Sequence, residues 1–327
     1  MSEDESGNDG GFGNLYRARE VIFFLVFVLL VVFFFIFLNQ SEDQIPNKGS
    51  PGNLPSYAKL EKEIDLLVLE IRNSGALPPL KDDFEMDESV DLVSQDYNIV
   101  LEHEKTKQYL ELILANLQKD FSEEWKNRVL KLRLYDDRFV GRTNNAFALP
   151  AETIYVGTTQ IMWANNEAEL AALLSHEVSH IALRHVAESR RIVKNLTVFA
   201  QKAFVAKDFE KVVLLGLAAQ KLFGYNEFVG ILPLEHESEA DRNGQTMLRN
   251  SGYDDLALAS SLERIEKIFN NNLFSQIVQK RIRDLKNNSK DKSDLNGRGK
   301  TFIVSKEEDL RLVQAALQQF LNDLALK

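Results

Sequence analysis

His176-Glu177-Val178-Ser179-His180 sets two imidazoles four residues apart with a carboxylate beside the first. An α-helix turns about 100° per residue, so positions four apart project from nearly the same face and both rings aim at one point. A hydrolytic zinc centre needs that arrangement: neutral imidazoles as ligands, an open position for water, and a carboxylate that can take a proton. The flanks decide whether the helix is buried. Leu170, Leu174, Val178 and Ile181 recur at helical spacing as an apolar stripe. The histidines lie nearly opposite it, yet their own side continues with Ala172, Leu173 and Leu183 rather than with charges. A helix apolar on both sides is buried, and buried histidines need partners. Asn166 followed by Glu169 forms a capping box with Asn in place of Ser or Thr, which predicts a helix over residues 166–188.

Two ligands leave a third to be found, and the candidates lie in Glu235-His236-Glu237-Ser238-Glu239-Ala240-Asp241. Pro233 suits the first turn of a helix ending near Gly252. Glu237 and Asp241 share a face there, which fits one carboxylate on a metal and another behind a ligand imidazole. Glu235 with Glu239 is a competing pair, and His236 is a softer option.

These residues resemble the membrane-linked zinc metallopeptidases that include the heat-shock protease HtpX, the CAAX prenyl endopeptidase and the mitochondrial protease Oma1. Their pattern is H-E-x-x-H followed by E-x-x-x-D, and Glu237 with Asp241 supplies the second part. Asn145-Ala146-Phe147-Ala148-Leu149-Pro150, Ile154-Tyr155-Val156 and Ala240-Asp241-Arg242-Asn243-Gly244 also match, so the likeness covers roughly residues 92–285. The resemblance implies that His176, His180 and Glu237 hold one zinc ion per subunit, that Glu177 is the general base, and that Asp241 supports a ligand. It further implies that Asn145, Ala146, Phe147 and Ala148 form an edge strand that receives an extended peptide. Strand alternation would set Ala146 and Ala148 opposite Phe147 and Leu149, leaving room beside a bound chain. There is one departure. Where many relatives carry a His-Pro pair about six residues before Arg-Ile, this chain has Ser275-Gln276 ahead of Arg281-Ile282. If that histidine donates to the oxyanion in relatives, another group must serve here; Arg242, Arg281 and Tyr253 are candidates. His103 and His185 read as structural or surface residues, although His185, at the end of the helix that carries His176 and His180, also matches the family's sequence.

Val21 to Leu38 is a run of eighteen apolar residues without a charge or polar side chain. As a helix it spans roughly 27 Å, enough for a transmembrane anchor. The following Asn39-Gln40-Ser41-Glu42-Asp43 offers no small-residue cleavage site, so the run reads as an uncleaved anchor. Arg17 and Arg19 precede it, and the next basic residue is Lys48, which places residues 1–20 in the cytoplasm and the remainder outside it, in the periplasm if the membrane is a Gram-negative inner one.

Of the 327 residues, those after the anchor can bury a full core. A net charge of −10 argues against nucleic acid as a partner. With no cysteine, disulfides and thiolate-bound zinc are excluded. Residues 39–56 read as a flexible linker and 57–91 as a helical linker region, with Leu60, Ile64, Leu67 and Ile71 on one face. Residues 91–117 read as one long helix, and Leu130, Leu132 and Leu134 as a half-buried strand. Residues 192–223 read as a helical hairpin forming a wall or lid over the cleft. Residues 286–327 read as a polar loop, starting near Asp284, and a helix whose stripe of Leu310, Val313, Leu317 and Leu321 docks on the preceding domain. The expected fold class is α+β: a mainly helical gluzincin-type domain over residues 92–285 with a small sheet, plus the N-terminal anchor. The expected function is a membrane-anchored zinc endopeptidase acting on misfolded or envelope polypeptides. The alternative is a chaperone-like peptide-binding module that keeps the zinc fold with weak or gated cleavage.

Overall fold

The computed structural model describes residues 57–96, 100–119, 128–138, 146–223, 232–269, 272–290 and 307–325. Val21–Leu38 and the linker lie outside them. No helix among the described residues is long and apolar enough to cross a membrane. The described residues divide into two compact units, one built on residues 57–75 together with Ile192–Leu222 and the other on those of 76–191 and of the chain from Phe223 onward.

In the first unit, α1 (Tyr57–Asn73) buries Leu67 and Ile71 as its apolar spacing requires. The Asn195 amide closes its end by donating to the carbonyls of Ile71 and Ser74, and Gly75 then turns the chain at φ 70°. Residues 192–223, expected as a helical hairpin, are the second half of α6 (His185–Val205) followed by α7 (Phe209–Phe223), two consecutive helices joined by a short turn.

The second unit carries α2 (Leu80–Asp96), β1 (Val100–Leu101), α3 (Glu104–Gln118), β2 (Lys131–Tyr135), β3 (Ala146–Ala148), β4 (Thr153–Gly157), α4 (Thr158–Trp163), α5 (Glu167–Ala182), α8 (Leu234–Asn250), α9 (Ala257–Phe269), α10 (Asn272–Lys290) and α11 (Glu307–Ala325). Its sheet is mixed, in the order β1-β2-β4-β3. The central pair, β2 with β4, is parallel, setting Leu132 beside Ile154; β3 runs antiparallel to β4 at one edge, with Phe147 beside Tyr155. Leu132, Leu134, Ile154 and Val156 face a core shared with Leu170, Leu174, Val178 and Ile181 of α5. The predicted stripe of α5 is therefore its core face. α11 docks as expected, burying Leu310, Val313, Leu317 and Leu321 in the same core. Gln314 ties it down by donating to the carbonyls of Ile161 and Ala164 at the end of α4.

Two elements depart from the sequence reading. The long helix over 91–117 is two helices separated by β1. α2 bears Asp83, Asp87 and Asp91 at spacings of four. All three are buried because each meets a donor: Asp83 the Arg184 guanidinium, Asp87 the backbone N–H groups of Ala151, Glu152 and Thr153, and Asp91 Arg133 and the Tyr155 hydroxyl. Finally, α10 continues through Lys290, so residues 284–290 are helix rather than loop.

Candidate metal centre

The pair His176 and His180 rides on α5. Asn166 caps this helix, its side-chain oxygen accepting the Glu169 N–H at 3.0 Å, while the Glu169 carboxylate reaches back to the Asn165 N–H at 2.8 Å. The capping box is thus present with the return bond shifted one residue. The helix stops at Ala182, six residues before the predicted end, because Arg184 takes a left-handed conformation (φ 53°). Nothing local demands this of an arginine. Its guanidinium is held by Asp83 at 2.7 Å and by the Pro78 carbonyl at 2.8 Å, long-range contacts that offset the backbone cost of about 1–3 kcal/mol.

α8 lies along α5 and brings the carboxylates. Gly244 makes the approach close, for a Cβ there would sit 3.1 Å from the His176 backbone nitrogen and 3.1 Å from Ser175 Oγ. Glu237 thereby faces both imidazoles: one oxygen lies 3.5 Å from His176 Nε2 and the other 3.6 Å from His180 Nε2. The two Nε2 atoms are 3.0 Å apart. Tetrahedral zinc at its usual bond lengths separates neighbouring donors by about 3.3 Å. The observed spacings bracket that value, and among the described residues this trio is the one group with metal-ligand geometry. Two imidazole nitrogens and a carboxylate with no sulfur form a donor set suited to zinc.

The surrounding charges are arranged for such an ion. Arg281 donates two 2.7 Å hydrogen bonds to Asp241 and lies 3.1 Å from Glu237. Burial works against ionisation of both carboxylates, yet Arg281, aided by His176, holds Glu237 and Asp241 well below the usual carboxylate range. Burial likewise opposes charge on His176, but Asp241 and Glu237 outweigh it and push this imidazole up to about 10. His176 Nδ1 lies 3.0 Å from Asp241, a close approach whose alignment falls short of a good hydrogen bond. His180, buried and beside a charged neighbour, is held well below the ordinary imidazole value. His176 thus lies between two carboxylates, both of which favour positive charge at this point. Burial pushes Glu177 up to about 7, against the opposing pull of His176, an N–H from Ala148 and Arg281.

Among the other sequence candidates, Asn145 lies outside the described residues. Ala146, Phe147 and Ala148 form edge strand β3. Phe147 stacks on Tyr155 with ring centroids 4.9 Å apart and remains 36% exposed. Ala146 is buried, and Ala148 packs against the core that contains α5. The small side chains thus let β3 lie close against the core that contains α5. Arg281 is committed to the carboxylates, Tyr253 donates to Glu167, and Arg242 is exposed, so none of the three stands free inside the centre. His236 is not a ligand; it stacks face to face on His185, centroids 4.3 Å apart. Glu235 is exposed. His185, read from sequence as structural or surface, is buried with Nδ1 3.0 Å from Nδ1 of His180. The signal that could have found it is its place five residues after His180.

A buried H-E-x-x-H helix, crossed by a second helix that supplies Glu237 and Asp241, defines the metallopeptidase class of site. The model of peptidase family M48 matches residues 115–289, more than half of the chain, and the chain belongs to that family. It is 27% identical over 130 residues to the beta-barrel assembly-enhancing protease of Yersinia pestis, covering 37% of this chain and 26% of that protein. The Escherichia coli K12 protein of the same name is 25% identical over 130 residues, with the same coverage. The mitochondrial metalloendopeptidase OMA1 of Arabidopsis thaliana is 34% identical over 126 residues, covering 38% of this chain and 24% of the relative. The matched segments thus span about a quarter of the length of these curated relatives.

Proposed function

We propose that this chain is a membrane-anchored zinc endopeptidase that hydrolyses extended polypeptides outside the cytoplasm. The observation that carries the reading is the meeting of His176 Nε2, His180 Nε2 and the Glu237 carboxylate at one buried point, directly beside Glu177. Zinc bound there acts as a Lewis acid toward a peptide carbonyl and acidifies a water. The chain's own groups do the rest. Glu177, with its proton affinity raised into the neutral range, takes the proton of the attacking water and returns one to the leaving amine. Asp241 and Arg281 fix the ligands from behind.

Substrate is held by main-chain pairing along β3, whose outer edge carries no strand among the described residues. An edge that reads backbone favours segments already unfolded, because a folded chain has its N–H and C=O groups engaged. Misfolded or envelope polypeptides fit that requirement, and the bacterial relatives are named for enhancing beta-barrel assembly. The Val21–Leu38 run supplies the anchor, with residues 1–20 in the cytoplasm.

Replacing Glu177 with Gln keeps the shape and removes the base. Cleavage of an unfolded protein by the full chain in detergent should fall by about 10²–10⁴-fold, with stoichiometric zinc retained. Undiminished cleavage in this variant would refute the assignment. Lost cleavage with no cellular consequence would favour the peptide-binding alternative.

A further inference from the structure

The two histidine ligands are supported differently. Asp241 stands behind His176, whereas behind His180 stands a third imidazole: Nδ1 of His180 faces Nδ1 of His185 at 3.0 Å, and Nε2 of His185 faces the Glu239 carboxylate at 3.1 Å. His185 is 1% exposed. Its ring is clamped by the parallel ring of His236, which is itself oriented by Glu188 at 3.3 Å from Nε2. Four of the five histidines in the chain therefore belong to one cluster. The left-handed turn at Arg184 is what brings His185 back under α5.

Proton positions follow from the partners. Two ring nitrogens in contact share one proton, so of the facing Nδ1 atoms one donates and the other accepts. Glu239 accepts only, which puts the His185 proton on Nε2 and leaves its Nδ1 as an acceptor. His180 must then carry its own proton on Nδ1, leaving the Nε2 lone pair aimed at the point it shares with His176 and Glu237. The opposite arrangement would put an N–H on that point. We propose that His185 and Glu239 are positioning residues that hold His180 in its metal-binding tautomer, a relay running from a carboxylate through one imidazole to another. The relay rests on the zinc reading above and adds a residue that the H-E-x-x-H and E-x-x-x-D patterns do not contain. Partners of this kind orient a ligand ring and raise its basicity.

The test is made on the full chain in detergent with His185→Phe, which keeps a flat ring without an acceptor, His185→Asn, whose carbonyl can accept from His180, and Glu239→Leu. Zinc affinity is measured by competition with a chromogenic chelator, and the His180 tautomer by NMR of the metal-free protein labelled with ¹⁵N-histidine. His185→Phe and Glu239→Leu should each weaken zinc binding by about 10–100-fold, and His185→Asn should recover most of the loss. In the unsubstituted protein the protonated nitrogen of His180 should be Nδ1. Wild-type affinity in both His185→Phe and Glu239→Leu would overturn the relay, as would a protonated Nε2 on His180. Should His185→Phe fail to fold, Glu239→Leu and the tautomer in the unsubstituted protein still decide. Failure of the unsubstituted chain to bind zinc would instead defeat the functional reading on which the relay depends.

Discussion

A proton and a metal ion compete for the same three side chains, and that competition has a sign. In the metal-free protein the His176 imidazole is raised from 6.5 to about 10 by Asp241 and Glu237, against its burial. Its contribution to folding is complete below 6.5 and is lost as pH climbs toward 10. Glu177, raised from 4.5 to about 7, contributes in the same direction but has finished by neutral pH. The depressed groups Glu237, Asp241 and His180 contribute fully above their unfolded values, so they add no slope above pH 7. Metal-free protein should therefore lose stability between pH 7 and 9, by no more than the one-proton limit of about 1.4 kcal/mol per pH unit. Zinc-loaded protein should lack this slope, and zinc binding near pH 8 should release one proton, read by calorimetry in buffers of different ionisation enthalpy. A metal-free unfolding curve that is flat over this range, or zinc uptake without proton release, would contradict the proton placement.

Between α5 and α8 the decisive atom is one that is missing. A Cβ on Gly244 would press at 3.1–3.2 Å on the His176 nitrogen and the Ser175 carbonyl carbon, backbone atoms of a capped and buried helix that cannot swing away. Gly244→Ala should push α8 outward and carry Glu237 from the imidazoles. We expect a destabilisation of about 1–3 kcal/mol in denaturant unfolding together with weaker zinc binding. Wild-type zinc affinity in this variant would show that the glycine does not set the separation of the ligands. The glycine was legible as part of A-D-x-x-G, and His176 with His180 because helical spacing puts them on one face; spacing left Glu237 with Asp241 in competition with Glu235 and Glu239, and the family resemblance chose between the pairs. The length of α5 was not legible, since its end depends on Asp83 and Pro78 gripping Arg184 from about a hundred residues away. For the same reason His185 reads only as a structural or surface residue. Periodicity reports a local preference, whereas these side chains find their partners only after the chain has folded.

For the whole molecule, the proposed topology makes a prediction that the composition renders clean. The chain contains no cysteine, so a single introduced thiol reports one position without background. Val205, 82% exposed at the end of α6, and Leu112, 71% exposed on α3, offer one reporter on each compact unit. Ser6 offers a third, before the apolar run. With arginines before Val21 and no basic residue from there until Lys48, the proposed topology would have Ser6 in the cytoplasm and the other two across the membrane from it. In intact cells whose outer barrier has been opened, a membrane-impermeant maleimide should label Val205→Cys and Leu112→Cys, and Ser6→Cys only after lysis. The protein should also stay with the membrane through an alkaline carbonate wash and lose that property when residues 1–56 are removed. The reverse labelling pattern would place the protease on the cytoplasmic face and make cytoplasmic polypeptides its substrates. Release of the full chain by carbonate would mean that the eighteen apolar residues do not span, leaving a zinc peptidase whose access to unfolded chains owes nothing to a membrane.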